Sequence, residues 1–398
     1  MKQVLRAFLT ILATIAIAGI SLMPVQQAFA SGSIFQIVPS PNGSKKPISN
    51  NLLVGVTSIS ASDMWAVGDF NGKTLAEHWD GAKWTLVKSP NGKSGSQFTA
   101  VSAVSSNDVW AVGIQDTAGP ATGLRTLIEH WDGTKWKVIP SPNASSEGDD
   151  LYAVTAISTN DVWAVGYFEN DSQTLILPLL EHWDGKSWTI FQVPSVFFSI
   201  NFVYGVSAVS TSDIWAAGYT IGDGGDNENL LLHWDGTQWT VLPPVPVQSD
   251  GNRLQAITAI SSTDVWAVGE FNVNRGENSS NLALHWNGQQ WSQRSVPNSG
   301  GLTNALEGVT ALASNDVWAV GLAAQPPSGF NQTLIEHWNG KSWSIAPSPN
   351  MTPQKDNPNT LFAATAVSPG NIMAVGTWDS FKKGNPGERT LTVLTTQG

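Results

Sequence analysis

Short apolar runs alternate with turn-forming clusters along the whole chain from residue 34 onward, and they keep step with a repeat. One copy reads Asp108-Val109-Trp110-Ala111-Val112-Gly113, a variable stretch, then Glu129-His130-Trp131-Asp132-Gly133-Thr134-Lys135-Trp136 and Pro140-Ser141-Pro142-Asn143. Other copies begin at Asp63, Asp161, Asp213, Asp264 and Asp316, and a decayed seventh begins at Asn371. Within the third copy the pattern predicts four strands: A over Leu151 to Ser158, B over Val162 to Gly166, C over Leu180 to Trp183, and D from Trp188 to the proline. Asp184-Gly185 is a tight-turn signal between C and D. Ser158 to Asp161 makes an equally short A–B link, with side chains suited to bonding nearby amides. No stretch carries a helical period.

Four antiparallel strands in about 50 residues is the unit of a β-propeller blade. The expected fold is therefore all-β, a seven-bladed β-propeller of four-stranded antiparallel blades. The ends set the count. The seventh copy supplies A (Leu361 to Ser368), B (Ile372 to Gly376) and C (Thr390 to Thr395) and then lacks a strand D. Phe35 to Asn42 aligns with Trp136 to Asn143, so the N-terminal side is expected to bring the missing outer strand into blade 7. Closure of this kind removes exposed sheet edges.

Composition adds a compartment and narrows the partners. Lys2 and Arg6, the apolar run Ala7 to Met23 and the small residues of Ala28-Phe29-Ala30 read as a signal peptide over 1–30, leaving 31–398 as a single propeller domain. The protein is thus expected to be secreted. It has no cysteine, so an exported fold must rest on its core alone. A formal net charge of −11 argues against nucleic acid and anionic membrane as partners.

All six histidines, His78, His130, His182, His233, His285 and His337, fall at one repeated strand C position. Eighteen of the 19 tryptophans occupy three repeated positions. A metal or catalytic site needs several groups converging, whereas one histidine per blade keeps them apart. The histidines are read as structural, buried and bonded to a Ser or Asp of their own A–B turn, with no metal and no cofactor. In the seventh copy Met373, Leu394, Thr395 and Asn371 replace Trp, His, Trp and Asp together, as a packed unit changes. Each buried indole removes roughly 150–250 Å² from water, an upper bound of about 4–6 kcal/mol.

The Trp-Asp-Gly-x-x-Trp hairpin resembles the Asp-box turn of sialidase-type propellers. The Asp-Val-Trp-Ala-Val-Gly strand resembles repeats of bacterial secreted propellers of the photosystem II stability/assembly-factor type. The period resembles kelch repeats, whose paired glycines are absent here. The resemblance covers residues 34–395 and implies a propeller and nothing catalytic. Arg125, Arg253, Arg275, Arg294 and Arg389 fall at unlike positions, which does not suit a sialidase arginine cluster, and no Gly-x-Ser-x-Gly, phosphate-loop or His-Glu-x-x-His stretch occurs. The acidic loop Asp223 to Glu228 reads as solvated rather than as a calcium loop.

Links B–C and D–A differ from copy to copy and share one face, so that face is the expected site. Two positions vary inside otherwise uniform strands. Before the repeated Ala or Gly of strand A stand Val54, Thr99, Tyr152, Tyr204, Gln255, Glu307 and Phe362. After the strand B glycine stand Asp69, Ile114, Tyr167, Tyr219, Glu270, Leu322 and Thr377. All four tyrosines lie here. The sequence therefore predicts a non-enzymatic binding module for a glycan or small polar ligand at Tyr152, Tyr167, Tyr204, Tyr219, Gln255, Glu270 and Glu307. The alternatives are a polysaccharide hydrolase or lyase using Glu270 and Glu307, and a protein-interaction scaffold.

Overall fold

The computed structural model describes residues 34–396 apart from 45, 47–48, 93, 117–122, 173, 194–199, 223, 248–250, 273–277, 325–328, 352–356 and 381–386. The expected leader, and Asp223 of the acidic loop, lie outside the described residues.

The described chain is all strand and turn. Five sheets are four-stranded and antiparallel, and one is eight-stranded, made of two such units joined by a single parallel bridge between Ile176 and Ile200. In the third copy A is Gly148–Ser158, B Asp161–Glu169, C Ile176–Trp183 and D Trp188–Phe191. Strands A, B and C run further toward the B–C/D–A face than the apolar pattern predicts. The ladder continues past the strand B glycine through pairs such as Tyr167↔Pro178, so the polar variable segments begin as strand. The B–C link is also not long in every copy. In the first copy Asn71-Gly72-Lys73 suffices, with Asn71 and Gly72 at φ 51° and 72°.

Every strand A carries a β-bulge at its variable position. In the third copy Leu151 pairs with Gly166 and Ala153 with Val165, leaving Tyr152 as the extra residue. Val54, Thr99, Tyr204, Gln255, Glu307 and Phe362 are the extra residues of the other copies. The strand B glycine follows from this bend, because a Cβ on Gly166 would run into the Asp150 carbonyl oxygen.

The C–D link is a four-residue turn rather than a bare Asp-Gly hairpin. Asp184 Oδ1 accepts the amides of Lys186 and Ser187 at 2.8 and 2.9 Å, and Gly185 sits at φ 91°. Those amide bonds hold the exposed Asp184 carboxyl below its usual range.

The core lies between neighbouring units. Trp163, fully buried, stacks on His182 of its own copy and meets Trp234 and Trp239 of the next at 5.1 and 5.4 Å. At the sixth copy Trp318 meets Phe35 edge-on at 5.7 Å, so Phe35 takes the place of a strand D tryptophan. Residues Ile34–Ile37 pair antiparallel with Glu388–Thr396, Phe35 opposite Thr395. Asn42 Oδ1 then accepts the Thr390 amide at 3.1 Å, as Asn143 Oδ1 accepts that of Thr126 at 3.2 Å. Met373 and Val375 of the seventh copy pack with Leu53, Met64 and Trp84 of the first.

Candidate functional site

The six histidines make one repeated contact. His78, His130, His182, His233, His285 and His337 each place Nε2 at 2.8–2.9 Å from Oδ1 of the aspartate that opens their own strand B. Each ring lies on the strand B tryptophan, between 4.1 Å (His233 on Trp215) and 4.7 Å (His78 on Trp65). The expectation of full burial holds only for His337; the other five are half-buried. They sit at the open end of the blade, so one ring face packs on indole and the edge meets solvent. Among the described residues no three His, Asp or Glu side chains are grouped to hold a metal ion.

The sequence reading missed the companion of this contact. The strand C indole donates to a carbonyl of the A–B turn, as in Trp183 Nε1 to Thr159 O at 3.1 Å. The histidine bond and the indole bond tie strand C to the same turn.

At the opposite end, the seven bulge residues come together. Val54, Thr99, Tyr152, Tyr204, Gln255, Glu307 and Phe362 line one cavity of about 170 Å³, and all are half-buried. A bulge re-aims a side chain off the alternation of its strand. Thr99 is bonded in place, its hydroxyl donating to Leu151 O at 2.7 Å. No side-chain hydrogen bond holds Gln255 or Glu307 among the described residues.

The four tyrosines form one cluster, joined by Phe202. Tyr152 stacks on Tyr167 at 5.3 Å, with the two hydroxyls 3.2 Å apart. Tyr204 meets Tyr152 edge-on at 4.9 Å and lies over Tyr219 at 5.8 Å. Phe202 packs against Tyr167 and Tyr219 at 4.8 and 4.9 Å. Tyr152 and Tyr204 line the cavity, Tyr167 is half-buried beside it, and Tyr219 is 9% exposed beneath the Arg253 guanidinium at 5.0 Å. Burial pushes the hydroxyls of Tyr152, Tyr167 and Tyr204 upward, so they are donors at any ordinary pH.

Two carboxyls flank the cluster. Asp150, opposite Tyr167 in the ladder, is pushed up to about 6 by burial, against a Tyr167 hydrogen bond and with help from Asp149 and Glu169. Glu307 is pushed up to about 7, by burial first and then by the charge of Glu270. Gln255, Glu270 and Glu307 thus continue the surface away from the tyrosines, Glu270 lying beside the cavity rather than in its wall. Asp150, Phe202 and Arg253 were missed. They stand two residues before Tyr152, Tyr204 and Gln255, in the early part of each strand A, which for the third copy lies beyond the strand that the apolar pattern predicts.

No family profile matches the sequence, and no curated protein does. Solved structures do share the fold. The chain is similar to a structure described as YCF48 bound to D1 peptide, at 15% identity and TM-score 0.53, over 92% of this chain and 97% of that one. YCF48 from Cyanidioschyzon merolae aligns at 16% identity and TM-score 0.55, over 91% and 98%. A protein of unknown function from Dyadobacter fermentans DSM 18053 aligns at 11% identity and TM-score 0.50, over 78% and 98%. The repeated four-stranded sheets and these likenesses together make this an all-β repeat protein of propeller type.

Proposed function

We propose that the chain is a seven-bladed propeller, exported through residues 1–30, that works as a polypeptide-binding scaffold through its B–C/D–A face. The seventh blade takes Ile34–Ile37 as its outer strand. Closure is supported by packing of strand A against strand A through all the copies, including Asn359–Ser368 of the last against Asn51–Ser60 of the first.

The observation that carries the binding reading is the half-buried aromatic cluster opening on a cavity to which every copy contributes. Tyrosine offers a flat apolar ring and a hydroxyl on a stiff stem, which suits peptide surfaces. A polypeptide is favoured over the glycan or small polar ligand that the sequence suggests. The solved neighbour with a described ligand is a YCF48 carrying a D1 peptide, and nothing comparable supports a glycan. The cavity is also smaller than the roughly 300–1,000 Å³ of ordinary small-ligand sites.

The test is a displayed nonapeptide library and a glycan array run on the mature chain and on Tyr152→Ala, Tyr204→Ala. Peptides selected by the parent and lost by the double variant support the proposal. Glycan hits with no peptide selected would overturn it, and turnover of a glycan lost in Glu270→Gln would favour the hydrolase or lyase alternative.

A further inference from the structure

The cavity wall is chemically lopsided. In copy order it runs Val54, Thr99, Tyr152, Tyr204, Gln255, Glu307, Phe362. Aromatic rings therefore stand on both sides of the Gln255 and Glu307 pair: Tyr204 before it and Phe362 after it. Thr99 and Tyr152 spend their hydroxyls on internal hydrogen bonds. Gln255 and Glu307 have no such partner among the described residues, and neither has Glu270. Arg253 stands opposite Glu270 in the ladder but lies over the Tyr219 ring, and among the described residues it makes no ion pair within 4 Å with Glu270 or Glu307. A half-buried carboxyl set in this cavity, next to a second carboxyl and with aromatic rings on either side, lacks one thing, a cation.

From this juxtaposition we propose that the cavity receives a single basic side chain, lysine or arginine, from the bound polypeptide. The charged head meets Glu307 and the Gln255 carbonyl, Glu270 adds to the field, and the stem lies along Tyr204 and Phe362. Ring faces attract a cation, and the attraction grows when water is excluded. A carboxylate in the same cavity adds a charge-assisted hydrogen bond. The volume of about 170 Å³ suits one side chain rather than a folded surface. The protein's net charge of −11 draws a basic partner in the same direction. The inference rests on the polypeptide-binding reading above and adds the chemistry of the anchor.

The experiment is a double-mutant cycle on a peptide selected from the nonapeptide library by the mature parent chain. The basic residue of that peptide is replaced by norleucine, and both peptides are titrated against the parent and Glu307→Gln. The expected result is enrichment of Lys or Arg at one peptide position and a loss of about tenfold or more for the norleucine peptide on the parent. On Glu307→Gln the two peptides should bind within about twofold of each other, with the norleucine peptide bound as by the parent. Selected peptides without a basic preference, or a lysine effect unchanged in Glu307→Gln, would overturn the inference and leave the polypeptide reading standing. No peptide selected would overturn both. If Glu307→Gln does not keep the parent's melting temperature, Glu270→Gln runs the same cycle, and a lysine effect undiminished there counts against the proposal.

Discussion

The ring of Tyr204 meets the ring of Tyr152 edge-on at 4.9 Å, although the two residues belong to different copies of the repeat. Each is the extra residue of a β-bulge, so their meeting is a product of register. Edge-to-face pairs add about 0.5–1.5 kcal/mol beyond area burial. The cluster is thus part core and part surface, and its members should separate in experiment. Tyr219→Ala, which removes a buried ring and leaves Arg253 without its platform, should cost about 3–5 kcal/mol. Tyr167→Ala, at a half-buried ring, should cost less than half as much. Urea unfolding of both variants checks the ranking, and equal losses would contradict it.

The histidine contact predicts a stability effect without a binding effect. His182→Ala strands Asp161 Oδ1 and removes the ring under Trp163, so unfolding free energy should fall by about 1–3 kcal/mol. Peptide binding should be unchanged while the variant stays folded, since this contact lies at the end of the blade opposite the tyrosines. Chemical denaturation and a titration of the folded variant are the checks. A variant as stable as the parent would count against the structural role.

Buried glutamates predict an alkaline weakness. Glu77, Glu129 and Glu336, each just before a strand C histidine, are fully buried and pushed up to about 8, by burial first. Ser40 and Asn281 donate one side-chain hydrogen bond each to Glu77 and Glu336, and neither oxygen of Glu129 has a hydrogen-bond partner among the described residues. Glu181 is raised in the same direction by burial and then Asp149, and neither of its oxygens has a hydrogen-bond partner among the described residues. A carboxyl raised on folding stabilises fully below its unfolded pKa and loses that contribution as pH climbs through the folded value. Melting temperature should therefore fall from about pH 5 to pH 9. Leu232 and Leu284 hold the same position in the fourth and fifth copies. Glu181→Leu should accordingly flatten the pH profile and raise stability at pH 9. A melting temperature that rises between pH 5 and pH 9 would contradict this.

The repeat, the four strands and a Ser or Asp partner in the A–B turn for each histidine were legible in the sequence because they rest on short-range pattern: alternation, turn residues and the recurrence of the same residue types in each copy, even though the Asp-to-His spacing ranges from 15 to 22 residues. The match of Phe35 to the strand D tryptophans was legible for the same reason. The bulges were not. Leu151-Tyr152-Ala153-Val154 is apolar or small throughout, so one inserted residue leaves no break in alternation to mark it. The carboxyl at Glu181 was also passed over, since a charged residue in a half-polar strand reads as solvent-facing until the neighbouring unit covers it. Gln255 and Glu307 were legible as variable positions on the same rim as the tyrosines, whereas their meeting in one cavity with all the other bulge residues depends on packing between copies, which spacing within a copy does not encode.

Closure predicts a dependence on the first described strand. Ile34–Ile37 pairs with the last strand, and Phe35 packs on Trp318. Deleting residues 31–42 should lower the melting temperature by well over about 5 °C. It should also increase association in light scattering through the bared edge. An unchanged melting temperature would contradict the proposed closure.

The most direct test of the account compares affinities for one library-selected nonapeptide across three proteins: the mature parent, Tyr152→Ala with Tyr204→Ala, and His182→Ala. The account predicts a loss of at least about tenfold for the tyrosine variant and a parental affinity for the histidine variant. Parental affinity in the tyrosine variant, or an equal loss in both, would contradict binding at the bulge-lined cavity.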